Sequence, residues 1–237
     1  MEHALNLSSQ VLIAFVPFWG FVFSTIIAIG YFLKPKEKLN TQAGILFAFV
    51  AIPQLSMTLE IFGLYFTYPR LGFLFPPFYV WIGPLVHSYF IQILSQKFLG
   101  RKFYIFQLLP FFLVSFFMFT LSDQPISSHQ NHQILDYVLL CIFIYTVGFL
   151  ILSVLESIPL MAFSNLPYPK IYTFTFALVL LGFLDIGFFV WFQLEKTIFT
   201  MILAYLTLNL ITILIYFGGQ IFPEYIANLK EEVKKSK

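Results

Sequence analysis

The sequence is poor in charge and nearly free of cysteine. Only 10% of its 237 residues are charged and 59% are hydrophobic, whereas about 25% of a typical soluble domain is charged. This composition excludes an ordinary soluble fold. The single cysteine, Cys141, cannot form an intramolecular disulfide and therefore says nothing about the redox compartment. The net charge of +2 is too small to predict nucleic-acid binding by this chain itself.

The chain also lacks the motifs of common catalytic and cofactor sites. It contains no phosphate-binding glycine loop and no nucleophile elbow, and its last apolar segment has no lysine for a retinal Schiff base. His129 and His132 lie three residues apart, but only Asp123 and Asp136 are near them, so the loop predicts no metal site. We therefore expect no enzyme activity, no catalytic residue, no metal and no cofactor.

Long apolar runs dominate the chain instead. A membrane-spanning helix needs about 20 mostly apolar residues. Seven segments meet this requirement: 12–33, 42–66, 74–95, 104–121, 134–156, 171–193 and 198–217. The sequence thus predicts an all-α integral membrane protein with a seven-helix transmembrane domain over residues 1–217. Residues 218–237 predict an amphipathic cytoplasmic linker helix.

The positively charged residues predict the orientation of these spans. The loops at 34–41, 96–103 and 157–170, together with the tail, carry 11 Lys and Arg residues, whereas the N-terminus and the loops on the other side carry 2. By the positive-inside rule, the N-terminus lies outside and the C-terminus lies in the cytoplasm.

A few ionisable or strongly polar residues interrupt the apolar segments. A charged side chain at the bilayer centre costs about 2.5 to 3.5 kcal/mol, so such residues are functional candidates by default. Glu60, His87 and Asp185 lie within predicted spans and can line one cavity open to the outside. Together with Arg70 and Asn209, they are the predicted ligand or sensor residues.

Each of these residues also has a packing interpretation. Glu60 can neutralise Arg70 across the turn between spans, and His87 can be a neutral, hydrogen-bonded core imidazole. Asp185 can accept a hydrogen bond from Asn209 or His87 where two glycines allow a neighbouring helix to approach. The sequence leaves both interpretations open.

Two glycine-containing pairs predict changes of helix geometry. Gly83 and Pro84, within WIGPLVHSYF, predict a packing contact and a kink in the third span. Gly218 and Gly219 predict a helix end or a hinge after the last span. Beyond them, apolar residues spaced four, three and four apart form a short heptad seam, which favours a homodimer through the C-terminal helix; they are Phe222, Ile226, Leu229 and Val233.

Three stretches resemble a known family. The run WIGPLVHSYFIQILSQKF, the basic turn LGRKFY and the run FQLLPFFLVSFF resemble the multi-helix membrane domain of bacterial AraC-type transcriptional regulators. The tail PEYIANLKEEVKKSK is similar to the segment that joins that domain to its DNA-binding helix-turn-helix pair. The resemblance covers roughly residues 42–237.

The resemblance implies a sensor and anchor domain in the bacterial inner membrane. It implies that an unidentified small molecule or membrane-state signal shifts the helix packing, and that the shift passes through the linker helix. DNA is then a partner only through a helix-turn-helix domain that is absent from this sequence.

Two other functions remain open from the residues. Pro53 and Gln54 resemble the dipeptide of small seven-helix PQ-loop and SWEET-type sugar transporters, although the later half has no second such pair. The chain can also be an accessory membrane protein whose only partner is the lipid bilayer.

Overall fold

The computed structural model describes residues 7–34, 38–68, 70–95, 99–122, 129–162, 177, 180–185, 187–191, 195 and 197–235. Every regular element in these ranges is a helix. The elements are α1 (Leu7–Leu33), α2 (Lys38–Ile61), α3 (Leu64–Thr67), α4 (Arg70–Leu74), α5 (Pro76–Tyr79), α6 (Ile82–Ser95), α7 (Arg101–Ser122), α8 (His129–Ala162) and α9 (Ile198–Lys235). The residues described at 180–185 and 187–191 are also helical.

Five helices are long and apolar enough to cross a membrane. These stretches are Ile13–Leu33, Lys38–Ile61, Arg101–Leu121, Ile134–Glu156 and Phe199–Phe217. They coincide with five of the seven predicted spans. The all-α class is therefore confirmed for the described residues, and these five helices have the length and composition that a membrane span requires. The count of seven and the orientation stay predictions.

The other two predicted spans differ from the five. The segment 74–95 is not one helix, because the turn at Val80 and Trp81 separates α5 from α6. The 14 residues of α6 extend about 21 Å, which is shorter than the ~30 Å hydrocarbon core. Much of the segment 171–193 lies outside the described residues, and its apolar helical part is Leu180–Trp191.

The core lies between α1, α2, α6 and α9. Its buried side chains include an aromatic group in which Tyr31 of α1 stacks on Phe47 of α2, with ring centroids 5.8 Å apart. Tyr216 of α9 meets both rings edge-on, at 6.2 and 6.5 Å. Leu85 and Tyr89 bring α6 into the same cluster. Half of the apolar stretch of α2 is buried, which makes α2 the central helix.

The helices α7 and α8 lie at the periphery. Only 17% of the apolar stretch of α7 and 11% of that of α8 are buried. A small cluster around Phe73, Met118 and Leu121 joins α4 to α7, with Val138 of α8 packed against it. The outer face of α7 is almost entirely apolar, as lipid contact requires; its exposed side chains include Ile105, Phe106, Leu109, Phe112, Leu113, Phe116 and Phe119.

The last helix, α9, has 38 residues and a length of about 57 Å. It continues through Gly218 and Gly219, so the helix end predicted at this pair is wrong, while a hinge there stays a prediction. Two glycines cost a helix about 2 kcal/mol relative to alanine, which the long helical segments on both sides of the pair offset. For the predicted seam the structure describes only the backbone, so the seam stays a prediction; its residues are Phe222, Ile226, Leu229 and Val233.

Candidate functional site

The end of α2 is built to reverse the chain. Gly63 adopts a left-handed backbone, with φ at 73°, which L side chains rarely adopt. Its N–H donates to the carbonyl of Glu60 at 2.9 Å and closes the last turn of α2. The short helices α3, α4 and α5 follow, and two of them pack against α2. The chain thus folds back over the helix that it has just left.

This reversal brings two phenols to one serine of α2. The hydroxyl of Tyr65, in α3, lies 2.5 Å from Ser56 Oγ. Tyr79, in α5, lies near the same hydroxyl group. Since Ser56 itself is buried, its hydrogen bond with Tyr65 satisfies a hydroxyl group that would otherwise be costly within the bundle.

A third phenol and two carboxyl groups lie around the same pair. Tyr205 of α9 lies in the same neighbourhood as Tyr65, Tyr79, Glu60 and Asp185. We call these five residues, together with Ser56, the tyrosine cluster. Thr207 of α9 lies beside it and donates to Asp185 Oδ1 at 2.9 Å.

The tyrosine cluster brings together two of the predicted ligand residues, Glu60 and Asp185. Thr207 donates to Asp185 Oδ1, whereas the printed contacts of the two predicted donors are with the Val16 carbonyl for Asn209 and with Ser153 for His87. Arg70 is the exposed first residue of α4. An ion pair between Glu60 and Arg70 stays a prediction.

His87 occupies a different place, between α6 and α8. It is 2% exposed, and its Nδ1 lies 3.0 Å from Ser153 Oγ. Because the Ser153 hydroxyl donates to the carbonyl of Phe149 at 2.7 Å, it accepts from His87, whose Nδ1 carries the proton. The rings of Phe103 and Phe149 flank the imidazole, with centroids 6.1 and 5.7 Å away. These partners place His87 in the packing between α6 and α8.

The glycine and proline before His87 also serve this contact. A methyl group at Gly83 would lie 2.8 Å from the Cα atom of Thr146, so glycine allows α6 to approach the backbone of α8. Pro84 lies in the first turn of α6, where no intrahelical partner is lost with its missing N–H. The helix break falls before it, at Val80 and Trp81. Pro84 therefore lies in the first turn of α6 and does not kink this helix.

Asn209 belongs to a third place, where α1, α2 and α9 meet. Its Nδ2 donates to the carbonyl of Val16 at 3.2 Å. A methyl group at Gly20 would overlap both Asn209 Oδ1 and Gln54 Oε1, and would lie 2.7 Å from Gln54 Cδ. The two amide oxygens are therefore neighbours in the space that Gly20 leaves free. We call Gly20, Ser24, Gln54 and Asn209 the amide junction.

Several uncharged polar contacts were not predicted from the sequence. Gln42 of α2 donates to Ser88 Oγ of α6 at 2.7 Å and also to the hydroxyl of Tyr104 of α7. Tyr145 of α8 donates to Gln107 Oε1 of α7. Ionisable residues stand out in an apolar segment, whereas amides and hydroxyls at membrane depth also need internal partners.

The side chains of the tyrosine cluster are suited to binding a ligand. Phenol rings and carboxyl groups can hold a positively charged or hydrogen-bond-donating ligand. The described residues contain no group of three or more His, Cys, Asp or Glu side chains that could hold a metal ion. Comparison with protein-family models, curated proteins and solved structures finds no match to this chain.

Proposed function

We propose that this chain is a membrane-embedded sensor. In this proposal the tyrosine cluster binds the signal, and α9 passes the response to a transcription-regulating helix-turn-helix domain on the cytoplasmic side. The observation that carries the proposal is the course of α9, which contributes Tyr205 to the cluster and continues without interruption to Lys235.

The length of α9 makes it a suitable transmitter. From Tyr205 to Lys235 the helix extends about 45 Å. A rotation or shift at Tyr205 displaces the far end of the helix when α9 moves as one body. A ligand changes the output only if it binds two arrangements of the bundle with different affinity.

The orientation supports the same scheme. With the N-terminus outside, the tyrosine cluster lies in the outer half of the membrane and the charged end of α9 lies in the cytoplasm. The phenols and carboxyl groups favour a small ligand with a positive charge. Cysteine labelling within the loop 122–133 tests this orientation, because labelling from the cytoplasmic side alone contradicts it.

Insertion of alanines into α9 tests the transmission. One to seven alanines are placed between Gly219 and Gln220 in a chain fused to a DNA-binding domain that drives a reporter only as a dimer. Because each residue turns a helix by about 100°, we expect one or two insertions to change the output and four or seven to restore it. Output that does not depend on the number of alanines contradicts the proposal.

The same reporter tests the cluster. We expect Asp185→Asn and Tyr205→Phe to impair the response to the signal while the protein remains expressed and inserted in the membrane. Tyr137→Phe is the matched control, since this tyrosine is 67% exposed on α8. An unchanged response in both cluster variants contradicts the assignment of the site.

A transporter is the second candidate, and two observations favour it. The segment 74–95 is discontinuous, and the amide junction holds unpartnered polar atoms within the bundle. A transporter moves solute in proteoliposomes and tolerates insertions after Gly219. Transport combined with insertion tolerance would therefore favour this second function.

A further inference from the structure

The amide junction contains buried polar atoms without partners. Gln54 and Ser24 are both 0% exposed. Among the described residues, no hydrogen bond reaches Ser24 Oγ, Gln54 Oε1, Gln54 Nε2 or Asn209 Oδ1. An unsatisfied buried polar group costs about 1 to 3 kcal/mol. Several such groups at one three-helix contact indicate an occupant that interacts with them.

Exchange of the two ends of the Gln54 amide does not remove the problem. After exchange, Nε2 would face Asn209 Oδ1 and could donate to it. Ser24 Oγ would still have no partner. An internal amide-to-amide hydrogen bond therefore satisfies only part of the junction.

The atoms that face one another in the junction are uncharged oxygens. Gln54 Oε1 and Asn209 Oδ1 share the space beside Gly20. Ser24 follows Gly20 by four residues, so it lies on the same face of α1 one turn further along. Neutral oxygens repel anions. Divalent cations are usually held by at least one carboxylate, and none belongs to the junction.

The position of the junction favours a cation over a neutral molecule. Tyr205 precedes Asn209 by four residues, so the tyrosine cluster lies one helical turn away along α9. The carboxyl groups of Glu60 and Asp185 in that cluster attract cations towards this part of the bundle.

We propose that the amide junction binds a monovalent metal cation, with Na⁺ as the ion to test, between Gln54 Oε1 and Asn209 Oδ1. Gly20 allows both amide oxygens to approach α1 because it has no side chain. This site is separate from the tyrosine cluster and does not rest on the proposed sensor function.

The thermal unfolding midpoint of the full chain in lipid nanodiscs tests the site. A ligand that binds only the folded state stabilises it in proportion to the logarithm of its concentration once the site is nearly saturated. We expect the midpoint to rise with NaCl but not with choline chloride at equal ionic strength. Binding of ²²Na⁺ to the same nanodiscs measures the ion directly. Equal midpoints in both salts, with no bound ²²Na⁺, would overturn the proposal.

Variants locate the ion. Gln54→Leu, Asn209→Leu and Gly20→Ala should each abolish the Na⁺-dependent rise. Gln92→Leu is the matched control and should keep it, because Gln92 is also buried with an unpartnered Oε1 but lies in α6. Asp185→Asn should keep it too. Loss of the rise in Asp185→Asn, with retention in Gln54→Leu, would place the ion in the tyrosine cluster and overturn the proposal.

One further variant tests the site even when the leucine and alanine variants do not fold. Gln54→Glu preserves the size of the side chain and adds a negative charge beside Asn209. We expect it to lower the Na⁺ concentration needed for half of the stabilisation at least tenfold. An unchanged Na⁺ requirement in this variant contradicts binding at the junction.

Discussion

The contact of His87 with α8 and the amide junction are both polar contacts between helices, but they differ in how their polar groups are satisfied. At the α6 to α8 contact, His87 donates to Ser153, and Ser153 donates to the Phe149 carbonyl. At the amide junction, Gln54 lacks a hydrogen bond to either end of its amide among the described residues. Burial of the side chains is nearly complete in both places.

The difference shows why burial alone does not identify a functional polar residue in a membrane bundle. A titratable group such as His87 attracts attention first, yet its nearest partners account for its place in the packing. An uncharged amide such as Gln54 does not stand out in the same way, yet its oxygen and nitrogen lack partners among the described residues. The useful measure is whether each buried donor and acceptor has a partner.

The strongest test of the contrast is to fill the amide junction. Gly20→Leu places a large side chain where Gln54 Oε1 and Asn209 Oδ1 now lie. We expect the free energy of unfolding in detergent to fall by about 3 kcal/mol or more, because the three helices must separate. Gly30→Leu on the same helix is the control, since no atom lies within 4 Å of a Cβ there. Equal stability of the two variants would contradict the close three-helix contact.

A smaller effect is expected at the α6 to α8 contact. Gly83→Ala brings a methyl group to 2.8 Å from the Thr146 backbone, which cannot move as a side chain can. We expect a loss of about 2 kcal/mol in the free energy of unfolding, measured as before. Gly148→Ala in α8 meets no atom within 4 Å and should not destabilise the protein. If Gly83→Ala is as stable as Gly148→Ala, the helices are further apart than described.

The smallest effect tests the hydrogen bond itself. Ser153→Ala leaves the Nδ1–H of His87 without its acceptor, so we expect a loss of about 1.5 kcal/mol. Ser115→Ala is matched to it, because Ser115 also donates to the carbonyl four residues earlier, that of Phe111. Combining Ser153→Ala with His87→Leu should cost less than the sum of the single changes. Strict additivity would show that the two side chains do not interact.

Hydropathy was sufficient to predict five of the helices. The predicted spans 134–156 and 198–217 differ from the observed apolar stretches Ile134–Glu156 and Phe199–Phe217 by at most one residue at either end. The error in the predicted end of the second span has its cause in the backbone. The second span was predicted to reach residue 66, but α2 ends at Ile61, because left-handed Gly63 terminates it. A glycine of this kind is a known helix-end signal.

The grouping of site residues was harder to predict. Glu60 and Asp185 stand out as acids in apolar segments, but their common neighbour Tyr205 is one of 13 tyrosines. Only the fold-back after Gly63 brings Tyr65 and Tyr79 to Ser56. Gln54 is visible in the sequence as an amide inside a span, yet its missing partners depend on the contacts of α1 and α9.

The short helices between Gly63 and Val80 have a consequence for measurement. The first four backbone N–H groups of a helix have no intrahelical acceptor, and α3, α4 and α5 have only four or five residues each. Their amide protons should exchange with solvent deuterium sooner than those of α2 or α8. Because Tyr65 and Tyr79 lie in this stretch, its rate of deuterium uptake would report a ligand bound at the tyrosine cluster, as proposed above, without any attached label.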